Sequence, residues 1–314
     1  LPDRRQAERW VVVMAAGFVG LMLAAGLWSG GAELLANLAR IDAGLIALLL
    51  AMAFASFTLR FLRWHLAAGA LGIRVPILDH AGIFLAGFSM TLTPGRVGEV
   101  LRLWLLRKRG GFRYEKTAPL LFLDRLCDVA AIAILAAFAA LAIGKYLALA
   151  VLALAGALAL NLVFFAPRLF LAPVNAAYSW TRRAPRLFAR LRIALRQTGR
   201  LSDRRTYAAV LALSVASWLT EGLAFHLVLD RLSVGLSAAA SVLVFALSTL
   251  AGVVTMLPGG LGGAEFSMLG MLLALGVANG AAVTATAVIR IVTLWFAVLV
   301  GFLALPFALR RAGA

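Results

Sequence analysis

Cysteine occurs once in 314 residues, at Cys127. That excludes an intramolecular disulfide and any cysteine-based metal cluster. Histidine occurs only at His65, His80 and His226, with no His-x-x-x-His pair and no metal-ligand spacing. No P-loop, no nucleophile–base constellation and no nucleic-acid recognition module is present, so neither a hydrolysis-driven pump nor an enzyme is expected, and no cofactor or metal. Charge is also scarce: charged residues are 14% of the chain and acids number 13.

Apolar residues fill the rest. The chain is 63% hydrophobic with a mean hydropathy of +0.98, too apolar for a soluble domain, so an all-α polytopic membrane protein is expected. The net charge of +17 fits Lys and Arg gathered in loops that face the cytoplasm and an anionic inner leaflet better than it fits nucleic acid. Residues 10–28 are long enough to span and lack a small-residue cleavage site, which predicts a retained helix rather than a signal peptide.

Further helices are expected over 43–62, 117–143, 147–165, 207–229 and 282–305. Two Pro-Gly breaks interrupt the remaining apolar sequence. The first, Thr91 to Glu99, separates runs 81–93 and 100–106; the second, Thr255 to Glu265, separates 238–257 and 264–277. A 13-residue arm reaches about 20 Å, past the middle of a ~30 Å core but not across it. The basic loop 107–116 would violate the positive-inside rule if 80–106 were one crossing, so a re-entrant hairpin from the cytoplasmic side is predicted, and a second from outside at 255–265. This topology puts 23 of the 30 Lys and Arg in the cytoplasm, among them Arg60 and Arg63, with both termini inside. Run 238–257 is long enough to span fully, and that reading stays open. Residues 168–205 carry ten arginines, with Leu187, Leu191 and Leu195 four residues apart. They read as a helix lying on anionic inner-leaflet lipid, with a solvated loop as the plainer alternative.

The two halves overlay. Ser56–Leu66 aligns with Ser217–Leu227 at an offset of 161; Thr91, Pro94, Gly95 and Gly98 meet Thr255, Pro258, Gly259 and Gly262 at 164. Glu99 and Glu265 are 166 apart, and Arg125 and Arg290 are 165 apart. With opposite starting sides the repeats would be inverted, repeat one over about 10–165 and repeat two over about 207–305 of a single transmembrane domain. Chance likeness between apolar segments is the competing reading.

Charges at membrane depth each need a partner or a wet cavity. Pro94 and Pro258 remove a helical hydrogen bond, and the glycines let backbone N–H groups approach an anion. Arg96 and Glu99 read either as one salt bridge at a hairpin tip or as a site for a headgroup or ion. Asp124, Arg125 and Asp128 share a helical face, as an ion-pair network or as an arginine for phosphate. Arg290 has no acid in its own helix, leaving Glu265 or a ligand anion; Glu221 is expected to pair with Arg290 or to carry a proton. His65 and His226 read as structural, and Trp10, Trp28, Trp64, Trp104 and Trp180 as interfacial belt residues.

With Pro94-Gly95-x-x-Gly98-Glu99, Asp124-Arg125-Leu126-Cys127-Asp128 and Pro258-Gly259-Gly260-Leu261-Gly262-Gly263-x-Glu265 in view, the chain resembles the lysylphosphatidylglycerol synthase transmembrane, or flippase-like, family over nearly its whole length. The resemblance implies translocation of a polar or charged lipid. The aminoacyl transferase that accompanies this module in some members is not carried over, since only Phe307 to Ala314 follow Pro306. It marks Pro94, Arg96, Gly98, Glu99, Asp124, Arg125, Pro258, Gly259, Gly262, Glu265 and Arg290 as site residues. An anionic or zwitterionic membrane lipid is the expected substrate, and the inner membrane of a prokaryote the expected location. An ion- or proton-coupled solute transporter, an integral-membrane lipid-modifying enzyme and a scaffold subunit are the alternatives.

Overall fold

The structure, a computed structural model, describes residues 31–93, 97–144, 146–165, 167–181, 203–255 and 257–313, with isolated positions elsewhere. The expected helix 10–28, the break residues Pro94, Gly95 and Arg96, and the leucines 187, 191 and 195 of the basic segment lie largely or wholly outside the described residues.

Every regular element among the described residues is helical. In chain order they are α1 (Gly31–Ala39), α2 (Ala43–Ala70), α3 (Ile77–Ala86, prolonged by a tighter turn Gly87–Met90), α4 (Val97–Gly110), α5 (Tyr114–Ile143), α6 (Leu147–Phe165) and α7 (Pro167–Thr181). Then come α8 (Arg204–Arg231), α9 (Ala238–Val254), α10 (Gly263–Ala274), α11 (Asn279–Arg290) and α12 (Phe296–Ala312), the last two joined through a wide turn at Ile291–Trp295. Among the described residues, four stretches are long and apolar enough to cross a membrane: α2, α5, α8 and the continuous run Asn279–Ala312. The protein is an all-α membrane protein.

α2 and α8 are built alike. Each has 28 residues, about 42 Å of helix. Each starts on an aspartate whose carboxylate accepts a backbone N–H three residues on: Asp42 from Leu45 at 2.8 Å, Asp203 from Thr206 at 3.0 Å. The Leu45 amide holds the exposed Asp42 carboxyl below the usual aspartate range, and the Thr206 hydroxyl followed by its amide does the same for Asp203. Each helix ends in a left-handed residue, Gly72 at φ 68° and Ser233 at φ 57°, followed by an amide that reaches back to a carbonyl of the last turn. These closing bonds are Ile73 to Ala68 (2.8 Å) and Val234 to Leu229 (3.0 Å). The two helices pack side by side and antiparallel, since Asp42 meets Arg231, Ser56 meets Glu221 and Arg63 meets Ser214 in opposite order along the chain.

After each of these helices comes an interrupted pair. α3 and α4 lie so close that a Cβ on Gly98 would collide with the Gly87 carbonyl, and one on Gly87 with the Arg102 side chain. Asp79 ties the base of this pair, accepting from Arg109 at 2.7 and 2.9 Å and facing Arg311 at 3.7 Å. α9 and α10 pack through Gly252 against Ala264. Their break turns on Gly259 (φ 63°) and Gly262 (φ 84°), conformations glycine adopts without penalty. The two breaks meet: a Cβ on Gly259 would stand 2.8 Å from Leu92. Leu92, fully buried, shares a small apolar cluster with Leu294, Val298 and Leu261.

Some expected boundaries change. α2 continues to Ala70 rather than ending near 62, so Arg60 and Arg63 lie within a membrane-length helix instead of beyond it. Both find carboxylate partners there, which removes the reason for the helix to stop. α9 ends at Val254 after 17 residues, and the apolar run 238–257 is broken before it reaches the ~20 residues a crossing needs. Trp64 is core, not belt: it is 1% exposed among Phe84, Leu101 and Leu120.

Candidate functional site

At the centre of the bundle stands Arg63 of α2, 2% exposed. Its guanidinium pairs with Asp124, and with Asp128 at 2.6 Å, both on α5, and donates to Ser214 Oγ on α8 at 2.9 Å. Trp218 of α8 donates its indole N–H to the same Asp128 oxygen at 3.0 Å. Four residues on α5 separate the two aspartates, so both project from one face toward one arginine. Arg102 of α4 approaches Asp124 at 3.6 Å, donates from Nε to the Phe84 carbonyl at 3.0 Å, and lies over the Phe84 ring at 4.0 Å.

Two branches leave this centre. On one side Arg60 stacks over Trp218 at 4.0 Å and pairs with Glu221 at 2.6 Å, while Ser56 donates to the same Glu221 oxygen at 2.8 Å. On the other, Arg125 faces Asp124 at 3.4 Å, Asp128 at 3.5 Å and Glu99, at the start of α4, at 3.1 Å. Among the described residues the linked network holds four arginines (60, 63, 102, 125) and four carboxylates (Glu99, Asp124, Asp128, Glu221), whose formal charges balance. Neutrality matters here, because an unmatched charge at membrane depth costs at least about 2.5–3.5 kcal/mol.

A second Glu–Arg pair stands at the other break. Arg290, at the end of α11, contacts Glu265 at 2.5 Å and donates to the Gly259 carbonyl at 2.8 Å. The two pairs differ in access. The Glu99 and Arg125 side chains are 20% and 40% exposed, while those of Glu265 and Arg290 are 0% and 14%.

The sequence profile of the lysylphosphatidylglycerol synthase TM region matches residues 11–301. The chain belongs to this family. Two relatives called "UPF0104 membrane protein", both from Methanothermobacter thermautotrophicus, are similar over most of their length. One is 27% identical across 90% of this chain and 88% of its own; the other is 25% identical across 88% and 89%.

Within this member of the lysylphosphatidylglycerol synthase TM-region family, Glu99, Asp124 and Arg125 come together in one network, and Glu265 joins Arg290. Glu221 is in the network by a route not expected: its partner is Arg60 on α2, not Arg290, which Glu265 already occupies. Gly98 sits against the Gly87 carbonyl, and Gly259 against the Leu92 and Leu294 side chains. Sequence reasoning missed Arg63 and Arg60, read as cytoplasmic, along with Arg102, Ser56, Ser214 and Trp218. The spacing Arg60-x-x-Arg63 puts both on one face of α2, and that signal was available.

Proposed function

We propose that this protein moves a phosphate-bearing lipid between leaflets, with Glu99 and Arg125 as the pair that meets the headgroup. The observation that carries this reading is the accessible end of an otherwise sealed, charge-neutral network: Arg125 is 40% exposed while Arg63 and Arg102 behind it are 2% and 4% exposed. A phosphate replacing Glu99 on Arg125 exchanges one anion for another. Glu99, released from Arg125 alone, then turns to the cationic part of a zwitterionic headgroup, or takes a proton. The headgroup thereby crosses without adding net charge to the site, and the acyl chains stay in the bilayer. No bond in the lipid is made or broken. Family membership supports a lipid-related role.

The same proposal includes the architecture. We read α2 to α5 and α8 to α12 as inverted repeats, each with a re-entrant hairpin, in one transmembrane domain. Support comes from shared offsets: helix bounds, caps and closing turns of α2 and α8 differ by 161. The contact of His65 with His80 and that of His226 with Ser241 differ by 161 as well. Arg60 and Glu221, which touch, are also 161 apart, as expected of a contact on a two-fold axis relating the halves. The basic segment 168–205 would rest on anionic lipid of the cytoplasmic leaflet, with both termini on that side, in a prokaryotic inner membrane.

Reconstitution in liposomes with a headgroup-labelled phospholipid tests the function. Movement of the phosphate-bearing lipid between leaflets is expected in liposomes that hold the protein and not in protein-free liposomes of the same composition. No movement of any phospholipid by the wild-type protein would reject the reading. The topology is tested separately, with Cys127 replaced and single cysteines placed in 107–116 and 278–281. The two loops should label from opposite sides of the membrane, and labelling from one side would break the inverted arrangement.

A further inference from the structure

A pocket of about 390 Å³ opens at the corner between α2 and α3, lined by His65, Gly69, Ile73, Arg74, Val75 and Pro76. It shares no residue with the Arg63 network. Arg74 is exposed there and has no ion-pair partner among the described residues. Lys116 is the next cation along the corner, its ammonium held 2.8 Å from the Gly72 carbonyl.

The proton arrangement of the half-buried His65 follows from its neighbours. An indole can only donate, so the bond from Trp64 Nε1 to His80 Nε2, 2.8 Å, makes that nitrogen an acceptor. Buried, neutral His80 then carries its proton on Nδ1 and gives it to His65 Nδ1 at 2.8 Å. Neutral His65 must hold its own proton on Nε2, the nitrogen on the far side of the ring from His80. Two of the pocket's lining residues are therefore donors: His65, with its N–H in a fixed tautomer, and Arg74, whose guanidinium has no ion-pair partner among the described residues.

The equivalent corner of the other half shows that the turn does not need this equipment. At an offset of 161 the closing bonds are the same, but Gly235 stands in place of Arg74 and Ser241 in place of His80. Charge and relay are additions to a turn that forms without them. Leu62, Leu66, Ile77 and Leu78 are exposed on the helix ends that flank the pocket.

We propose that this corner is a docking site for the phosphate of a membrane lipid, with Arg74 and the His65 Nε2–H donating to phosphate oxygens and the acyl chains lying along the exposed flanking side chains. A pocket of this volume accepts a phosphate with its glycerol. Free phosphate shares the recognition chemistry but gains nothing from the apolar flanks. Docking is distinct from passage and is measured without it, so each can fail alone.

The test uses the full chain in neutral detergent micelles, with binding read by native mass spectrometry and titration. Short-chain phosphatidic acid should saturate one site, and Arg74→Gln should weaken it by about tenfold or more. Arg74 is exposed, so that variant keeps the fold. Trp64→Phe, which releases the His80 tautomer, should weaken binding by a smaller factor. Arg231→Gln, at a half-exposed arginine beside Asp42 at the opposite end of α2, should leave it unchanged. Equal binding of diacylglycerol, no effect of Arg74→Gln, or an equal loss with Arg231→Gln would overturn the site. Inorganic phosphate that binds as tightly as the lipid would overturn the lipid assignment.

Discussion

The two halves share a skeleton and differ in what they load onto it. In the first, Arg63, Arg102, Asp124 and Asp128 fill the space between helices; at the equivalent places the second carries Ala224, Met268, Ile289 and Thr293. The first half's Glu–Arg pair is open to its surroundings, and the second half's is closed. The backbone turns, caps and close helix approaches need only small residues, aspartates and glycines at set intervals, and both halves keep those. The first half adds four charged side chains to that frame; the second lends Ser214, Trp218 and Glu221 to the same network and keeps only Glu265 with Arg290 at its own break. A closed pair at Glu265 suits a brace that holds the second break; an open pair at Glu99 suits a site that exchanges partners.

Giving one half the residue of the other probes this difference. Arg63→Ala installs what stands at Ala224 and leaves Asp124 and Asp128 without their main counter-ion. A buried pair broken on one side costs about 3–5 kcal/mol, so this variant should show the largest loss of melting temperature in detergent, or fail to accumulate. Next in size is Gly98→Ala, which installs before Glu99 the residue that precedes Glu265. A Cβ there meets the Gly87 carbonyl, backbone that cannot swing aside, and the strain should cost about 1–3 kcal/mol. Gly270→Ala, with open space around the new methyl, should instead be neutral or slightly stabilising in the same melt.

The smallest of the expected losses belongs to Arg231→Ala, which copies Ala70. Arg231 pairs with Asp42 and donates to the Arg40 carbonyl at 3.0 Å, but Arg231 and Asp42 are about half exposed. The loss should stay below about 1 kcal/mol and shrink further as salt is raised. A large, salt-independent loss would mean that the outer end of the α2–α8 contact carries more of the fold than its exposure suggests.

Much of this was legible in the sequence, and the reasons are physical. Breaks announce themselves because Pro-Gly cannot continue a helix, and Glu99, Glu265, Arg125 and Arg290 announce themselves because charge is rare in apolar sequence. Glu265 was one of two partners left open for Arg290, whereas the pairing of Glu99 with Arg125 was not foreseen, because Arg96 stands nearer to Glu99 in sequence. Arg60 and Arg63 were lost for the opposite reason. An arginine near the end of an apolar run reads as a loop residue facing the cytoplasm, and only the aspartates of α5 and Glu221 of α8, far away in sequence, reveal that α2 runs on past both. Glu221 was assigned to Arg290 because no local pattern distinguishes one distant arginine from another. The role of His80 was hidden too, since its partners Trp64 and His65 lie across the α2–α3 turn.

The contrast between the open and the closed pair can be decided in one assay, the rate of phospholipid movement in proteoliposomes carrying Glu99→Gln or Glu265→Gln, each normalised to folded protein. Glu99→Gln is predicted to lower the rate per folded molecule by about tenfold or more while its melting temperature stays near wild type, whereas Glu265→Gln lowers stability and leaves the rate per folded molecule nearly intact. Undiminished movement in Glu99→Gln, with the rate lost in a fully stable Glu265→Gln, would contradict the account.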